Sequence, residues 1–473
     1  MNTKIGIFAY KFVNITSAPY CRVIIMLAIK YLYILLSVII LKDLWYVGSD
    51  GYNVSFVLWK EILGSIVFVL VSFFVLCKKF NGNLINSVIT LLFILYYIPL
   101  NSAFSINNQP VVYFLLSNIY FILIIVATKL LSEVVKRTKK DKPQNNPEKL
   151  YTDKGVLCCC AALCIVFIIF KLAYNGFSLS VSMEAESVYS NRAEMVEFFD
   201  NISGSALAYF LTIIRNVASI AAHYYFFVSI IQKKWLHAAL AVLCLLSQYS
   251  ISSSKGGLLF VAVIVVLYIC YKFDVLKYFD RFVEYGMLAV LIVCLIEHFL
   301  LRSDYVFIVI IRRMMYYPAW LSTMYSEYFL ENGPVLWTQN VFLLQNIFEP
   351  KYAISPLEII STTYFGGEIP SPNSGLYAEA IMHFAEWGIL IYPVLLAVVF
   401  IVSERILAPY GKPVQIFMAL KLVLQLQNVP LMRTDSILTY FLFLFILWIV
   451  PKLQIEKQYK KLVGCLKCKR ISD

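Results

Sequence analysis

Charged residues are scarce in this chain, because only 14% of its 473 residues are Asp, Glu, Lys or Arg while 61% are hydrophobic. A soluble domain of this size cannot cover its surface with so few charges, which excludes an ordinary soluble protein. Apolar runs of about 17 to 25 residues recur along the chain, and a helix needs this length to cross roughly 30 Å of hydrocarbon. The sequence therefore predicts an all-α, polytopic membrane protein rather than a barrel, whose strands are short and alternating.

Other features are missing as well, and each absence narrows the function. Neither large polar loop, 174–203 or 302–376, contains a cysteine, so no disulfide framework is expected to hold these loops together. HExxH, DxD, Walker and Cys/His cluster motifs are absent, which predicts neither a metal nor a nucleotide cofactor. No internal repeat is visible, which disfavours the inverted-repeat architecture of many transporters.

Twelve apolar stretches are predicted to span the membrane. They cover residues 23–41, 54–77, 84–104, 111–132, 155–173, 204–231, 236–252, 256–271, 285–301, 377–403, 414–432 and 437–450. With the N terminus inside, 26 of the 40 Lys and Arg residues fall in cytoplasmic segments and 8 in outer ones. Because positive residues stay on the cytoplasmic side, we expect both termini inside and both large loops outside.

The chain is expected to consist of six parts in sequence order. These are a four-helix group at 1–135, a basic linker at 136–154, helices five to nine at 155–301 with the first outer loop at 174–203, the large outer loop at 302–376, helices ten to twelve at 377–450, and a basic tail at 451–473. The net charge of +12 lies mostly where anionic lipid head groups are found. No nucleic-acid partner is therefore inferred.

Three ionisable residues, Glu379, His383 and Glu386, lie in the predicted tenth span. Offsets of four and seven residues place them on one face of a continuous helix. Asn373 or Ser374 is the predicted N-cap of this helix, whose positive end would face the outer loop and attract phosphate. Ionisable groups inside a membrane are functional candidates by default. The alternative is a buried, hydrogen-bonded cluster that holds neighbouring helices together.

A second group of candidates is cationic and lies on or below the predicted outer face. Its members are Arg192, Arg215, Lys255, Arg302, Arg312, Arg313 and Arg433. Arginine binds phosphate oxygens with two parallel donors and lysine binds them as a point charge, so this group suits a diphosphate. The alternative is that single arginines snorkel or pair with carboxylates of the outer loops.

The order of these features resembles the Wzy-type O-antigen and oligosaccharide repeat-unit polymerases. The resemblance rests on a medium outer loop after the fifth span, a large one after the ninth, and the segment 366–388 that leads into the tenth. Arg192 followed by Gly204 is similar to the family's arginine-to-glycine pattern, with eleven intervening residues where ten are usual. Lys255 in Ser-Lys-Gly is similar to the family's basic turn. None of the large-loop arginines has a glycine at the family spacing.

The resemblance implies an inverting, metal-independent glycosyltransferase of lipopolysaccharide biosynthesis in the bacterial inner membrane. The growing glycan would move from undecaprenyl diphosphate to a lipid-linked repeat unit on the periplasmic face. Donor, acceptor, membrane lipids and a chain-length regulator are the implied partners, and no cofactor is implied. The implied catalytic residues are Glu379 and His383, the diphosphate ligands are Arg192, Arg215, Lys255, Arg302, Arg312 and Arg313, and the substrate contacts are Ser371, Asn373, Ser374, Gly375 and Tyr377.

Two alternatives belong to different functional classes. An O-antigen ligase shares the layout, but ligases carry a histidine in the large loop and residues 302–376 contain none. A lipid-linked oligosaccharide flippase also has about twelve spans, but it resembles two paired bundles with short loops. The polymerase is therefore the favoured hypothesis, with the ligase and the flippase as alternatives.

Overall fold

The computed structural model of this chain is helical, in agreement with the predicted all-α class. It describes residues 18–42, 52, 54–76, 80, 82–137, 153–175, 205–252, 255–339, 341, 344, 347–367, 372, 374–431, 433 and 437–453. Eight helices in this part of the chain are long and apolar enough to cross a membrane. Three shorter apolar helices are Trp235–Ile251, Leu259–Lys272 and Thr439–Leu453. The chain is a multi-pass membrane protein, while the number of twelve spans and their orientation stay predictions.

The helices are numbered here in chain order. They are α1 Pro19–Leu41, α2 Leu58–Leu76, α3 Asn83–Ile106, α4 Val111–Arg137, α5 Lys154–Asn175, α6 Ser205–Ile231, α7 Trp235–Ser252, α8 Lys255–Lys272, α9 Phe279–Ile296, α10 Tyr317–Asn332, α11 Pro356–Phe365, α12 Tyr377–Phe384, α13 Gly388–Leu407, α14 Gly411–Asn428 and α15 Thr439–Leu453. Wider π-helical turns occur inside α3 at Phe93–Tyr97, after α9 at Glu297–Leu301 and before α10 at Phe307–Tyr316.

The chain divides into two compact units. The first unit comprises Met1–Asn145, Phe273–Arg405 and Met418–Ile437, and the second comprises Asn146–Lys272, Ile406–Phe417 and Leu438–Asp473. Each unit is therefore built from segments that are distant in sequence. Helix α12 and its surroundings lie in the first unit, whereas α15 lies in the second.

Charged side chains inside the first unit are paired across helices. Lys30 on α1 lies 2.8 Å from a carboxylate oxygen of Glu61 on α2, and both side chains are buried. The hydroxyls of Ser65 and Ser105 each donate to Glu61 at 2.7 Å. A buried charge is strongly disfavoured unless it is paired and hydrogen-bonded. This network therefore ties α1, α2 and α3 together.

A second charged group joins helices that are far apart in sequence. The carboxylate of the buried Glu284 on α9 accepts hydrogen bonds from Arg22 at 2.8 Å and from Arg281 at 3.0 Å. Glu404, near the end of α13, accepts the backbone N–H of Leu84 at 2.9 Å. An acidic group is favourable at a helix N-terminus because free N–H groups point toward it. Glu404 therefore caps α3 and fixes the end of α13.

The second unit packs through small residues and aromatic rings. Ala218 and Ala221 on α6 are fully buried, and small residues allow neighbouring membrane helices to approach closely. The ring of His223 contacts the carbonyl oxygens of Ser219 at 2.6 Å and Gly257 at 2.9 Å. The second contact connects α6 to the start of α8.

The predicted tenth span is not one helix, so that part of the prediction is wrong. Helix α12 ends at Phe384, a short 3-10 turn covers Ala385–Trp387, and α13 begins at Gly388. The reason is a close approach of the two helices, because a Cβ at Gly388 would lie 2.0 Å from the carbonyl oxygen of Ala380. A continuous helix cannot make this contact, since it places these residues two turns apart along one axis.

Gly375 provides a test of how tightly the backbone is packed before α12. A Cβ at Gly375 would lie 1.9 Å from the carbonyl oxygen of Leu426, whereas a Cβ at Gly286 on α9 would meet nothing within 4 Å. Gly375→Ala is expected to lower the free energy of unfolding by about 1–3 kcal/mol or more through overpacking. Gly286→Ala should be neutral or stabilising by up to about 1 kcal/mol. Thermal unfolding of the purified variants measures both, and equal melting temperatures would contradict the packing.

Candidate functional site

Helix α12 is short, fully embedded in the first unit and bounded by unusual backbone at both ends. Its eight residues are preceded by Leu376 with φ 53° and followed by Ala385 with φ 48°. Residues other than glycine seldom adopt positive φ, and such strain persists only where the surroundings impose it. Strained backbone of this kind occurs often at functional sites, and the helix between these two residues carries the acid Glu379 and the imidazole of His383.

The Glu379 carboxylate is fully buried and held by donors from two other segments. Its Oε1 accepts a hydrogen bond from the Tyr392 hydroxyl of α13 at 3.2 Å, and its Oε2 accepts the backbone N–H of Leu431, which follows α14. Buried carboxylates need such partners to offset the loss of water. Glu379 is thus the point at which α12, α13 and the end of α14 meet.

His383 lies one helical turn after Glu379 and is also fully buried. Its ring is parallel to the Tyr392 ring, at an interplanar angle of 6° and a centroid separation of 6.2 Å. Neither ring nitrogen has a hydrogen-bond partner among the described residues. A buried polar group without a partner costs about 1–3 kcal/mol and is rare in native proteins. His383 therefore has donor and acceptor capacity left for a ligand.

The loop Gly333–Thr338 covers the end of α12 and is called the cover loop below. The backbone N–H groups of Val335 and Leu336 donate to the carbonyls of Met382 and His383 at 2.9 and 3.0 Å. Leu336 and Trp337 have φ values of 49° and 62°, two consecutive non-glycine residues in the left-handed region. The Trp337 indole N–H also reaches the Tyr392 hydroxyl at 3.4 Å. The cover loop is thus bonded to the site and strained at the same place.

Tyr325 and Arg433 extend this cluster toward the rest of the unit. Burial raises the pKa of the Tyr325 phenol, the Arg433 guanidinium opposes this rise, and the Glu379 carboxylate adds to it. The Tyr325 hydroxyl donates to the carbonyl of Pro372 at 3.0 Å. A cation and a carboxylate from two other segments therefore both act electrostatically on the Tyr325 phenol.

The predicted N-cap of this helix is wrong. Leu376 occupies that position, and no side chain caps the helix. The Tyr377 N–H donates to the Tyr96 hydroxyl at 3.1 Å, and the buried Ser374 hydroxyl contacts the Pro318 carbonyl at 3.4 Å. The positive φ of Leu376 turns the chain abruptly before the helix. The start of α12 is consequently covered by protein groups of α3 and of the segment 302–376.

Glu386 does not share a face with Glu379 and His383, so this prediction is also wrong. It lies in the 3-10 turn after α12, and its side chain is exposed. The turn at Ala385 changes the direction of the backbone, which removes Glu386 from the helical register. Glu379 and His383 keep the predicted spacing of one helical turn.

The predicted cations occupy different environments. In the first unit, the half-buried Arg312 donates to the Tyr52 hydroxyl at 3.2 Å, while Arg302 and Arg313 are exposed. In the second unit, the half-buried Arg215 contacts the Asn216 side chain at 3.4 Å. Lys255 opens α8, although its side chain lies outside the described part of the structure, as do the residues Arg192, Ser371 and Asn373.

The structure brings together some of the predicted site residues and adds others. Ser374, Gly375, Tyr377, Glu379 and His383 form one buried segment. Tyr392, Trp337 and the Leu431 N–H join it, and the sequence contains no signal for them. Tyr392 follows His383 by nine residues. A continuous helix would therefore place Tyr392 on the face opposite to His383 and Glu379.

Comparison of the chain with protein-family models, with curated proteins and with solved structures finds no match. What the site does is therefore inferred from its own groups. A carboxylate, a phenol and an imidazole in one water-poor environment are the groups that accept and transfer protons in enzymes. No group of three or more His, Cys, Asp or Glu side chains suited to a metal ion occurs in the described residues.

Tyr392→Phe tests whether the Tyr392 hydroxyl holds Glu379. The variant removes one donor and leaves the buried Oε1 of Glu379 without it, which should cost about 1–3 kcal/mol of folding free energy. The melting temperature of the purified protein measures the loss. Tyr305→Phe is the matched control, since Tyr305 is 68% exposed and its hydroxyl should contribute little. Identical shifts in the two variants would argue against a structural bond to Glu379.

Proposed function

We propose that this protein is a Wzy-type polymerase. In this proposal it transfers a growing glycan from undecaprenyl diphosphate to a lipid-linked repeat unit on the periplasmic face of the bacterial inner membrane. One observation carries the proposal: on the short helix that follows the large loop, the buried Glu379 carboxylate lies one turn from the His383 imidazole, whose nitrogens have no hydrogen-bond partner among the described residues. Ionisable groups buried in a membrane protein are costly and are therefore candidates for a functional role. The resemblance of the loop layout to this family supplies the reaction.

The chemistry requires two things of the protein, a base and a group of cations. The acceptor hydroxyl oxygen attacks the anomeric carbon of the donor, the bond from that carbon to the diphosphate oxygen breaks, and the diphosphate leaves with the electron pair. The hydroxyl proton must pass to a base, and cations must stabilise the leaving diphosphate. Because this is a single displacement, the configuration at the anomeric carbon inverts.

His383 is the better placed of the two candidates for the base. Both Glu379 oxygens already accept hydrogen bonds, from Tyr392 and from the Leu431 N–H, whereas both His383 ring nitrogens have none among the described residues. A proton taken up by the imidazole would be stabilised by the negative charge of Glu379 one turn away. We therefore assign His383 as the proton acceptor and Glu379 as the group that stabilises the resulting imidazolium.

The leaving diphosphate needs cations, and Arg433 is one candidate. Its charge opposes the rise in the pKa of the Tyr325 phenol, which the Glu379 carboxylate increases. Arg312, held by Tyr52 in the same unit, is a second candidate from the predicted group. Arginine is suited to this task because its planar fork binds phosphate oxygens bidentately. Arg302 and Arg313 of the same unit stay candidates for this role. For Arg192, Arg215 and Lys255, diphosphate binding stays a prediction from the sequence.

Substrate access requires a change in the site, because Glu379 and His383 are fully buried. The cover loop is the segment best suited to move, since Leu336 and Trp337 are both strained and in direct contact with the site. Opening the loop would expose the end of α12. The released backbone strain would offset part of the free energy needed to break the two backbone hydrogen bonds of the loop.

A deletion strain tests the proposed class of function. We expect its lipopolysaccharide gel pattern to show the core bearing a single repeat unit, because ligation and flipping continue while chain extension stops. Core without any repeat unit would indicate a ligase or a flippase instead. An unchanged ladder of long chains would remove glycan transfer from consideration.

Substitutions in the deletion strain test the proposed site. His383→Ala and Glu379→Gln should each reduce long-chain polymer by about 10²- to 10⁴-fold, the usual contribution of a general acid or base. Glu386→Gln is the matched control, because Glu386 is exposed two residues after α12 and its loss should leave the ladder intact. Membrane abundance of each variant is measured in parallel. Normal polymer from His383→Ala at normal abundance would return the cluster to a purely structural role.

A further inference from the structure

The second unit has an open apolar groove along α15. Its volume is about 330 Å³, within the range of clefts that bind small molecules. Six residues line it: Ile406, Leu438, Phe441, Leu442, Phe445 and Trp448. No charged side chain is among them, so the groove suits a hydrocarbon chain.

Helix α15 has two different faces, and the groove lies on the one that the described residues leave partly exposed. Tyr440, Phe443, Leu444 and Leu447 are buried on the other face. There the Phe443 ring packs edge-on against Tyr224 at 5.4 Å, and the Leu447 carbonyl accepts the Tyr410 hydroxyl. The groove face instead leaves Phe445 and Trp448 about half exposed. Residues three or four apart share a helix face, which explains this division.

A cation lies at the end of this groove. The Lys452 Nζ is 3.6 Å from the centroid of the Trp448 ring, and a cation over an indole face is attracted by the negative charge of the ring. Lys452 itself is exposed. The sequence after it, 453–473, contains six further Lys or Arg and only two acidic residues. The chain that follows Lys452 is therefore strongly positive.

We propose that the groove is a binding site for an anionic phospholipid. One acyl chain lies along Leu442 and Phe445, and the head-group phosphate pairs with Lys452, which Trp448 orients. Clusters of basic residues directly after a membrane helix attract anionic lipids, with about 1 kcal/mol for each cation near the surface. The combination of a hydrocarbon groove and a cation at its end matches both parts of such a lipid, and it is independent of the proposed reaction.

Lipid retention measures this site directly. The protein is reconstituted in vesicles that contain equal amounts of phosphatidylglycerol and phosphatidylcholine, extracted, and analysed by native mass spectrometry. We expect phosphatidylglycerol to be retained preferentially. Lys452→Gln should reduce the ratio of phosphatidylglycerol to phosphatidylcholine about fivefold, which corresponds to about 1 kcal/mol. Leu442→Trp should reduce retention of both lipids because it fills the groove.

Two matched variants control for general effects of charge and bulk. Lys234→Gln removes an exposed lysine beside the exposed Trp235 of α7, and Ile269→Trp enlarges an exposed apolar residue of α8. Both should leave the lipid ratio and the retained amounts unchanged. The proposal is overturned if Lys452→Gln and Lys234→Gln behave alike, or if wild-type protein retains both lipids equally. It is also overturned if Leu442→Trp changes only the oligomeric state, because a second copy would then occupy the groove.

Discussion

Polar groups in a hydrocarbon environment must find their partners inside the protein, and this requirement organises the first unit. Lys30 is paired with Glu61, Glu284 with two arginines, and Glu379 with a phenol and a backbone N–H. Glu61 joins three consecutive helices, Glu284 joins α9 to α1, and Glu379 joins α12 to α13 and to the segment after α14. Breaking such a pair leaves a buried charge uncompensated, which is far more costly than losing a surface contact. The acids therefore determine which helices are neighbours.

His383 departs from this pattern, and the departure is informative. It is buried as completely as Glu379, yet neither ring nitrogen has a partner in the described part of the chain. Among the described residues, the buried carboxylates Glu61, Glu284 and Glu379 all have partners, whereas both nitrogens of this imidazole lack them, at a cost that a structural role does not explain. The cost is understandable if the imidazole is kept available for a substrate proton, which is the role assigned to it above.

The backbone around α12 supports the same interpretation. Leu376 and Ala385 bound the helix with positive φ, and Leu336 and Trp337 repeat this strain in the cover loop. Close contacts at Gly375 and Gly388 with the carbonyls of Leu426 and Ala380 hold these conformations in place. Strain maintained by surrounding contacts is characteristic of sites whose geometry serves chemistry more than stability. Close backbone contacts accordingly fix both ends of α12, and the cover loop beside it is strained at Leu336 and Trp337.

The sequence by itself determined the all-helical membrane class, because hydrophobic length is a local property that hydrocarbon thickness sets directly. It also placed Glu379 and His383 on one helix face, since a spacing of four residues survives in any helix that contains both. Only the tertiary structure decided that the predicted span breaks at Ala385, that Glu386 turns away, and that Tyr392 and the Leu431 N–H hold the carboxylate. These features arise from contacts between segments up to 52 residues apart, and periodicity along one helix carries no information about which backbone will approach it.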